Sequence, residues 1–374
     1  MKVAFANAKF RPGTHDGANA HVRQFVQTAV ALGHDVWMWP ELCHPAAKPL
    51  PGGRVQRTMK LREMDLIYVR IQHDLARACT WTLGPTRTLI GNPLMVWEFN
   101  TVPEFGEYRG MSPAAIQKEI EGFRHFGKGC DLAVCVSSHL ADYVRTKLGI
   151  ARTLVVPNGS DPDLYTPDAP VVPRLQAARG DGTFNALWIG SAYVDWHNFK
   201  LLADAARIIW ERGNPKKIVF HLIGQGMTRM GEMPGNVHYY GVEDYEKLPQ
   251  WMSVMDVGLC LYRPGPADYS SPLKVFDYMS SGLAVVATRQ PQTTELLNEL
   301  GTPELLMAPD DPTALANALE ELAADRSKVE AIGRRARALS AAKYTWRRAV
   351  GDTFAEIEKI QAARRTPAAG RAAL

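Results

Sequence analysis

No run of this 374-residue chain reaches the roughly 18 consecutive apolar residues that a membrane span needs. The opening residues MKVAFA read directly as a strand and lack the apolar core of a secretory signal. Cysteine is scarce. Cys43, Cys79, Cys130, Cys135 and Cys260 show no pairing rhythm and no C-x-x-C, so buried reduced thiols and a cytoplasmic setting are expected. A surplus of charge of one sign is nearly absent as well. The net charge of +4 is too small to argue for a nucleic-acid partner. Basic residues do gather at Arg334, Arg335, Arg337, Lys343, Arg347 and Arg348. A solvated helix face explains them, and peripheral contact with an anionic membrane is the sharper reading. No cluster of His, Cys and carboxylates has metal-ligand spacing. Neither G-x-S-x-G nor G-x-G-x-x-G occurs, which argues against a nucleophile-elbow hydrolase and a dinucleotide-binding enzyme. No short internal repeat is visible.

What is present is ordinary globular composition, 46% apolar and 22% charged, over a length that usually exceeds one core. Apolar runs alternate with helix-length amphipathic segments. Strands are expected at 3–6, 36–39, 66–69, 94–97, 132–136 and 153–156. A second set is expected at 185–189, 218–223, 237–240, 257–261, 284–287 and 305–308. Such alternation predicts α/β architecture, with two doubly wound parallel sheets covered by helices on both faces. The boundaries follow: a first Rossmann-like domain over 1–160, a Pro/Asp/Gly-rich linker over 161–183, and a second Rossmann-like domain over 184–345. Helices are expected at 312–324, 327–343 and 346–364, with a frayed tail at 365–374. Two open sheets facing each other hold ligands in a cleft at the carboxyl ends of their strands.

The most telling stretch is SSPLKVFDYMSSGLAVVAT, residues 270–288. Ser271 is placed to cap a helix, Pro272 fits its first turn, and Gly282 suits the left-handed stop. The apolar run after it suits a parallel strand. A helix start in such a unit is an anion site. Asp277 then lies within reach of a ribose whose phosphates rest on that start. Alternatively, Lys274 and Asp277 only pair with each other at i, i+3. Gly13 and Gly17, in the loop after the first strand, allow close approach to a diphosphate, or mark a ligand-free turn. Glu98 and Asn100 follow the fourth strand, and either face the cleft or cap a turn. Asp161-Pro-Asp163 has the D-x-D form of a metal site but reads as a plain turn. Trp37, Trp39, Trp97 and Phe105 offer an aromatic platform, although core packing accounts for the tryptophans more simply.

At this point the residues resemble glycosyltransferase family 4, which has the GT-B fold. VVPNGSD (155–161) with LYTP (164–167) resembles the segment closing the family's first domain. LIGQG (222–226), NVHYYG (236–241), Leu248-Pro249 and MDVGL (255–259) resemble the run that builds its base pocket. PLKVFDYMSSGLAVVA (272–287) resembles its nucleotide-binding helix and strand, and Tyr344-Thr-Trp346 its last helix, which crosses back to the first domain. The chain departs from the family at known positions. Tyr269 replaces the first Glu of E-x7-E, and Asp277 replaces the second, with Ser270 and Ser271 supplying hydroxyls. The Arg and Lys expected after Gly190 are missing. His197 falls near the place of that Lys, and Lys274 or Lys200 is left to supply the positive charge.

The resemblance implies a retaining sugar transfer from a nucleotide-diphosphate sugar to a hydroxyl of a glycan or lipid-linked acceptor. Cell-surface polysaccharide or glycolipid synthesis is the setting it implies, with no metal and no further cofactor. It assigns catalytic duty to Glu98, Asn100 and Lys274. It assigns donor contacts to Gly13, Gly17, Gly190, Ser191, His197, Tyr240, Val242, Ser270, Ser271, Leu273, Lys274 and Asp277. The altered motif leaves two alternatives open: a nucleotide-sugar binding protein with little activity, or a sugar-nucleotide epimerase of the same fold. Uracil and guanine both remain open as the donor base.

Overall fold

The computed structural model describes residues 1–6, 10–13, 16–71, 84–178, 182–192, 194–226 and 232–365. The tail expected to fray lies almost wholly outside them. Contacts divide the chain into two compact units. One holds residues 1–12, 21–157 and the chain from 346; the other holds 13–20 and 158–345.

The first unit is built on a seven-stranded, all-parallel sheet in the order β3-β2-β1-β4-β5-β6-β7. Its strands are β1 (Lys2–Ala6), β2 (Asp35–Met38), β3 (Lys48–Pro49), β4 (Leu66–Ile71), β5 (Leu94–Phe99), β6 (Leu132–Cys135) and β7 (Thr153–Val155). The two-residue β3 had no sequence signal, because it is too short to show a period. The helices are α1 (Gly17–Ala31), α2 (Arg54–Leu61), α3 (Gly84–Leu89), α4 (Pro113–Phe126) and α5 (Ser138–Thr146). Ser112 and Ser137 cap α4 and α5 through their hydroxyls, the usual answer to unbonded first-turn N–H groups. The last helix, Trp346–Arg365, lies in this unit. Its Val350, Phe354, Ile357 and Ile360 join one apolar core with Val3, Phe5, Phe25 and Tyr68. Asp131 accepts from Arg87 and Arg364, tying that helix's far end to the sheet.

The second unit carries a six-stranded parallel sheet in the order β10-β9-β8-β11-β12-β13. Its strands are β8 (Phe184–Ser191), β9 (Ile218–Gln225), β10 (Val237–Tyr239), β11 (Val257–Cys260), β12 (Ala284–Thr288) and β13 (Leu306–Met307). Between and after them run α6 (Phe199–Glu211), α7 (Leu248–Met252), α8 (Leu273–Ser280), α9 (Pro291–Leu300), α10 (Pro312–Ala324) and α11 (Arg326–Lys343), so that Trp346–Arg365 is α12. The segment read as a linker is not loose. Tyr165 and Leu175 are buried, and Tyr165 donates to the Tyr245 carbonyl over 3.1 Å. Asp161 forms the expected turn, its Oδ1 accepting from the Asp163 N–H at 3.0 Å.

In each sheet the strand order reverses once, between β1 and β4 in the first and between β8 and β11 in the second. In doubly wound sheets the carboxyl ends of strands at such a reversal are where ligands bind.

Candidate active site

The helix α8 is fixed against the sheet by Tyr278. Its hydroxyl accepts from the Ile189 N–H at 3.0 Å, which pins α8 to β8. Its ring lies on Gly258 of β11, where a Cβ would come within 2.3 Å of the ring. Only glycine permits that approach. Gly282 ends α8 at φ +77°, as its position suggested, and β12 follows at once.

The start of α8 differs from expectation by one residue. Pro272, not Ser271, occupies the cap position, and no side chain caps the helix. The Ser271 hydroxyl instead accepts from the Asn158 N–H at 3.1 Å, while the Ser271 carbonyl accepts from Asn158 Nδ2 at 2.7 Å. The first N–H groups of α8 therefore have no serine oxygen on them; Val275 N–H donates to the Pro272 carbonyl at 3.2 Å, which leaves those of Leu273 and Lys274 available to an anion. Ser270 turns away as well, donating to the Ala267 carbonyl at 2.6 Å. Gly17 comes to this place, and a Cβ on it would stand 3.3 Å from Leu273 Cδ1. Gly13, at φ +74°, belongs to the same unit as α8.

Lys274 decides the character of the site. Its Nζ is buried and has no hydrogen-bond partner among the described residues. It stands 5.2 Å from the ring centroids of both Trp188 and Tyr262. Those aromatic faces offset part of the lost hydration but supply no lone pair. Burial pulls the ammonium down to about 8 from its usual 10.5. The i, i+3 pair with Asp277 is absent. Lys200, the other cation considered, lies on the surface and pairs with Asp204.

His197 completes the wall. Its ring stacks on Tyr262 at 5.2 Å, and its Nδ1 lies 3.1 Å from the Ser191 nitrogen and 3.0 Å from the Ser191 oxygen. Burial, reinforced by the Lys274 charge, holds it well below the ordinary histidine range. His197 is thus neutral and cannot stand in for a cation. Gly190 leaves room for it, since a Cβ there would lie 3.0 Å from His197 Nδ1. Gly17, Gly190, Ser191, His197, Leu273 and Lys274 therefore gather around the carboxyl ends of β8 and β11.

Asp277 faces elsewhere. It is 3% exposed, and its Oδ1 accepts from Ser160 Oγ at 2.7 Å and Tyr245 OH at 3.4 Å. Burial outweighs those bonds and raises the carboxyl to about 8. Tyr240 follows β10 at the sheet edge, two strands from β8. Its hydroxyl lies 3.0 Å from His221 Nδ1. Its ring packs on Trp251 at 4.7 Å, with the Arg174 guanidinium over both rings. Val242 beside it is 44% exposed. Sequence reading missed Trp188, Tyr262 and Arg174, because an aromatic in a buried strand reads only as core.

In the first unit, Glu98 lies inside β5 rather than after it and is 2% exposed. Its carboxylate receives His21 Nε2 at 2.8 Å, Asn100 Nδ2 at 2.6 Å and Arg70 Nε at 3.5 Å. Parallel register sets Arg70 directly beside Glu98. Burial alone would raise this carboxyl, but His21, Arg70 and Asn100 hold it at about 2. Every role considered for Glu98 must start from a carboxylate already engaged on several sides. His21 was not anticipated, because a histidine within an amphipathic helix carries no motif. Among the described residues no three His, Cys, Asp or Glu side chains converge on a metal position.

Comparison with known proteins bears on this geometry. Residues 183–325 match the family model described as glycosyl transferases group 1. Over 177 residues the chain is 27% identical to TuaH of Bacillus subtilis (strain 168), a protein whose name assigns it to teichuronic acid biosynthesis as a glycosyltransferase. That match covers 44% of this chain and 42% of TuaH, less than half of either. Sucrose-phosphate synthase from Thermosynechococcus elongatus superposes with a TM-score of 0.70 at 18% identity, covering 97% of this chain and 100% of that one. Anabaena HepE, solved with UDP and glucose, gives 0.68 at 18% identity over 96% and 100%. The fold is GT-B. The family match falls on the unit that holds Lys274, and the likeness in fold runs through nearly the whole chain.

Proposed function

We propose that this chain is a retaining glycosyltransferase of the family 4 type. It moves a sugar from a nucleotide-diphosphate sugar to a hydroxyl of a glycan or lipid-linked acceptor, in cell-surface polysaccharide or glycolipid synthesis. The observation that carries the reading is the buried, unpartnered ammonium of Lys274 at the start of α8. A buried charge without a partner is costly, and it persists where a ligand completes it. The segment's match to group 1 transferases and the UDP and glucose held by HepE support a nucleotide-diphosphate sugar as that ligand. The role named in TuaH supports the polysaccharide setting.

In this reading the C1–O bond to the diphosphate breaks with its electron pair going to the leaving oxygen. The acceptor hydroxyl forms the new bond to C1, and its proton passes to a leaving-group oxygen on the same face. Charge on the diphosphate grows along this path. Lys274 and the free N–H groups of α8 meet it in a site poor in water, where such interactions are strongest. His197 stays neutral and orders Ser191. Asp277 is a positioning residue, holding α8 through Ser160 and Tyr245. The charge of the diphosphate is met without a metal.

The test is calorimetric titration of UDP and GDP into wild type and Lys274→Met. Loss of a charge-assisted contact of about 2–3 kcal/mol weakens binding roughly 30- to 150-fold. Equal affinity for both proteins would remove Lys274 from the donor site. Product formation from a sugar-nucleotide panel with a glycan or lipid-linked acceptor then separates a transferase from a mere binding protein.

A further inference from the structure

We propose that α2 and the turn beside it form a docking surface for an anionic lipid bilayer. Val55, Met59 and Leu89 are 68%, 63% and 62% exposed, the three most exposed large apolar side chains among the described residues. Val55, Met59 and Arg62 recur at i, i+4 and i+7, one above another on a single face. The opposite side of the helix buries Leu61. A Cβ on Gly91 would meet the Arg62 carbonyl at 3.2 Å. The α3–β5 turn thus rests on the end of α2, and exposed Leu89 lies two residues before the Gly91 contact.

The charge of this region sets its partner. Residues 48–63 hold Lys48, Arg54, Arg57, Lys60 and Arg62 against the single acid Glu63. That surplus equals the net charge of the whole chain, so the rest is electrically balanced. Lys60 pairs with Glu63 and lies 4.2 Å from the Trp37 ring centroid; Arg57 donates to the Pro51 and Gly52 carbonyls. Arg54 and Arg62 are exposed and have no ion-pair partner among the described residues. An anionic bilayer offers what this surface lacks, negative headgroups for the two arginines and an acyl boundary for the three apolar side chains. A second copy of the chain does not, because an isologous contact would set cations against cations.

In the basic cluster near the C-terminus Arg335 and Arg347 are exposed too, but no exposed large apolar side chain among the described residues falls within 326–365. Arg337 donates to the Pro162, Tyr165 and Ser280 carbonyls. Lys343 pairs with Glu299, Arg334 with Glu330, and Arg348 with Asp352. The apolar side chains beside the cations favour α2 over that cluster as the bilayer contact. The proposal stands independently of the donor reading.

Flotation of the full chain with vesicles tests it. Phosphatidylcholine vesicles containing phosphatidylglycerol should carry the wild type, and phosphatidylcholine alone should not. Val55→Asp with Met59→Asp, and separately Arg54→Glu with Arg62→Glu, should each lower the bound fraction about tenfold. These side chains are exposed, so melting temperature and UDP binding should stay at wild-type values in both variants. The surface is refuted if the wild type fails to float, or floats equally with both vesicles. Retention of flotation by either double variant refutes it as well. Concentration-dependent dimers abolished by the Asp pair would instead assign the face to self-association.

Discussion

Each unit of this protein buries a charge near the reversal point of its sheet, and the two charges are treated in opposite ways. Glu98 in the first unit is surrounded by His21, Arg70 and Asn100 and held at about 2. Lys274 in the second has two aromatic rings and no hydrogen-bond acceptor among the described residues, and burial pulls it down to about 8. A satisfied buried ion is an internal fastening, whose removal injures the fold. An unsatisfied one lowers stability unless a ligand arrives, and is retained for that ligand. On the proposed function, the difference separates scaffold from binding site without appeal to any motif.

The strongest way to break this contrast is Glu98→Ala. It strips the common partner from Arg70 and His21, so about 3–5 kcal/mol of stability should be lost. Denaturant unfolding reads this directly, and a loss below 1 kcal/mol would make the network dispensable. Acid should act in the same direction. With the folded carboxyl at about 2 and the unfolded one near 4.5, the stabilisation is complete above pH 4.5 and is lost as pH falls toward 2. Lys274→Met should do the reverse. Replacing an unpaired buried ammonium with an apolar chain of similar length should leave the melting temperature unchanged or raised, while nucleotide affinity collapses. A melting temperature lowered by several degrees would mean that Lys274 is structural after all.

A smaller effect sharpens the same point through pH. The ligand-free ammonium loses its proton near 8 rather than 10.5, so UDP affinity should fall by up to about tenfold per pH unit above 8. Lys274→Met should show none of this dependence. Ligand-free stability should move oppositely. Between pH 8 and 10.5 the unfolded chain binds more protons than the folded one, so wild-type stability rises with pH in that window.

Much of the architecture was legible in the sequence because parallel strands buried on both faces write themselves as apolar runs. Twelve such runs correspond to β1, β2 and β4–β13. The helix at 312–324 was read to the residue, because Asp311 and Pro312 mark its start. At the site, the loop after the first strand drew attention to Gly17, the 270–288 helix to Lys274 and the family resemblance to Gly190, and all three converge. Side-chain direction was not legible. Asp277 and Lys274 share one helix but look to different neighbours, and only packing against Ser160 and Tyr245 on one side and Trp188 and Tyr262 on the other separates them. His21 could not be found from sequence for a similar reason. Its partner Glu98 is 77 positions away and reaches it only through the sheet.

The smallest expected effect concerns Asp277, which tests whether a buried acid without a cation behaves like Glu98 or like Lys274. Its carboxyl is raised to about 8 by burial, so at neutral pH it is protonated and needs no counter-charge. The folded state binds the extra proton, so this group's contribution is full below the ordinary carboxylate range and fades as pH rises through 8. Asp277→Asn keeps an oxygen to accept from Ser160 and should cost less than about 1 kcal/mol. Asp277→Ala leaves the Ser160 hydroxyl without its buried acceptor and should cost about 1–3 kcal/mol. If Asp277→Asn instead weakens UDP binding tenfold with stability intact, the carboxylate leaves Ser160 to meet the ribose when the nucleotide binds. If both variants bind UDP as wild type does, Asp277 is a fastening of α8, and the donor contacts reside in Lys274 and the helix start.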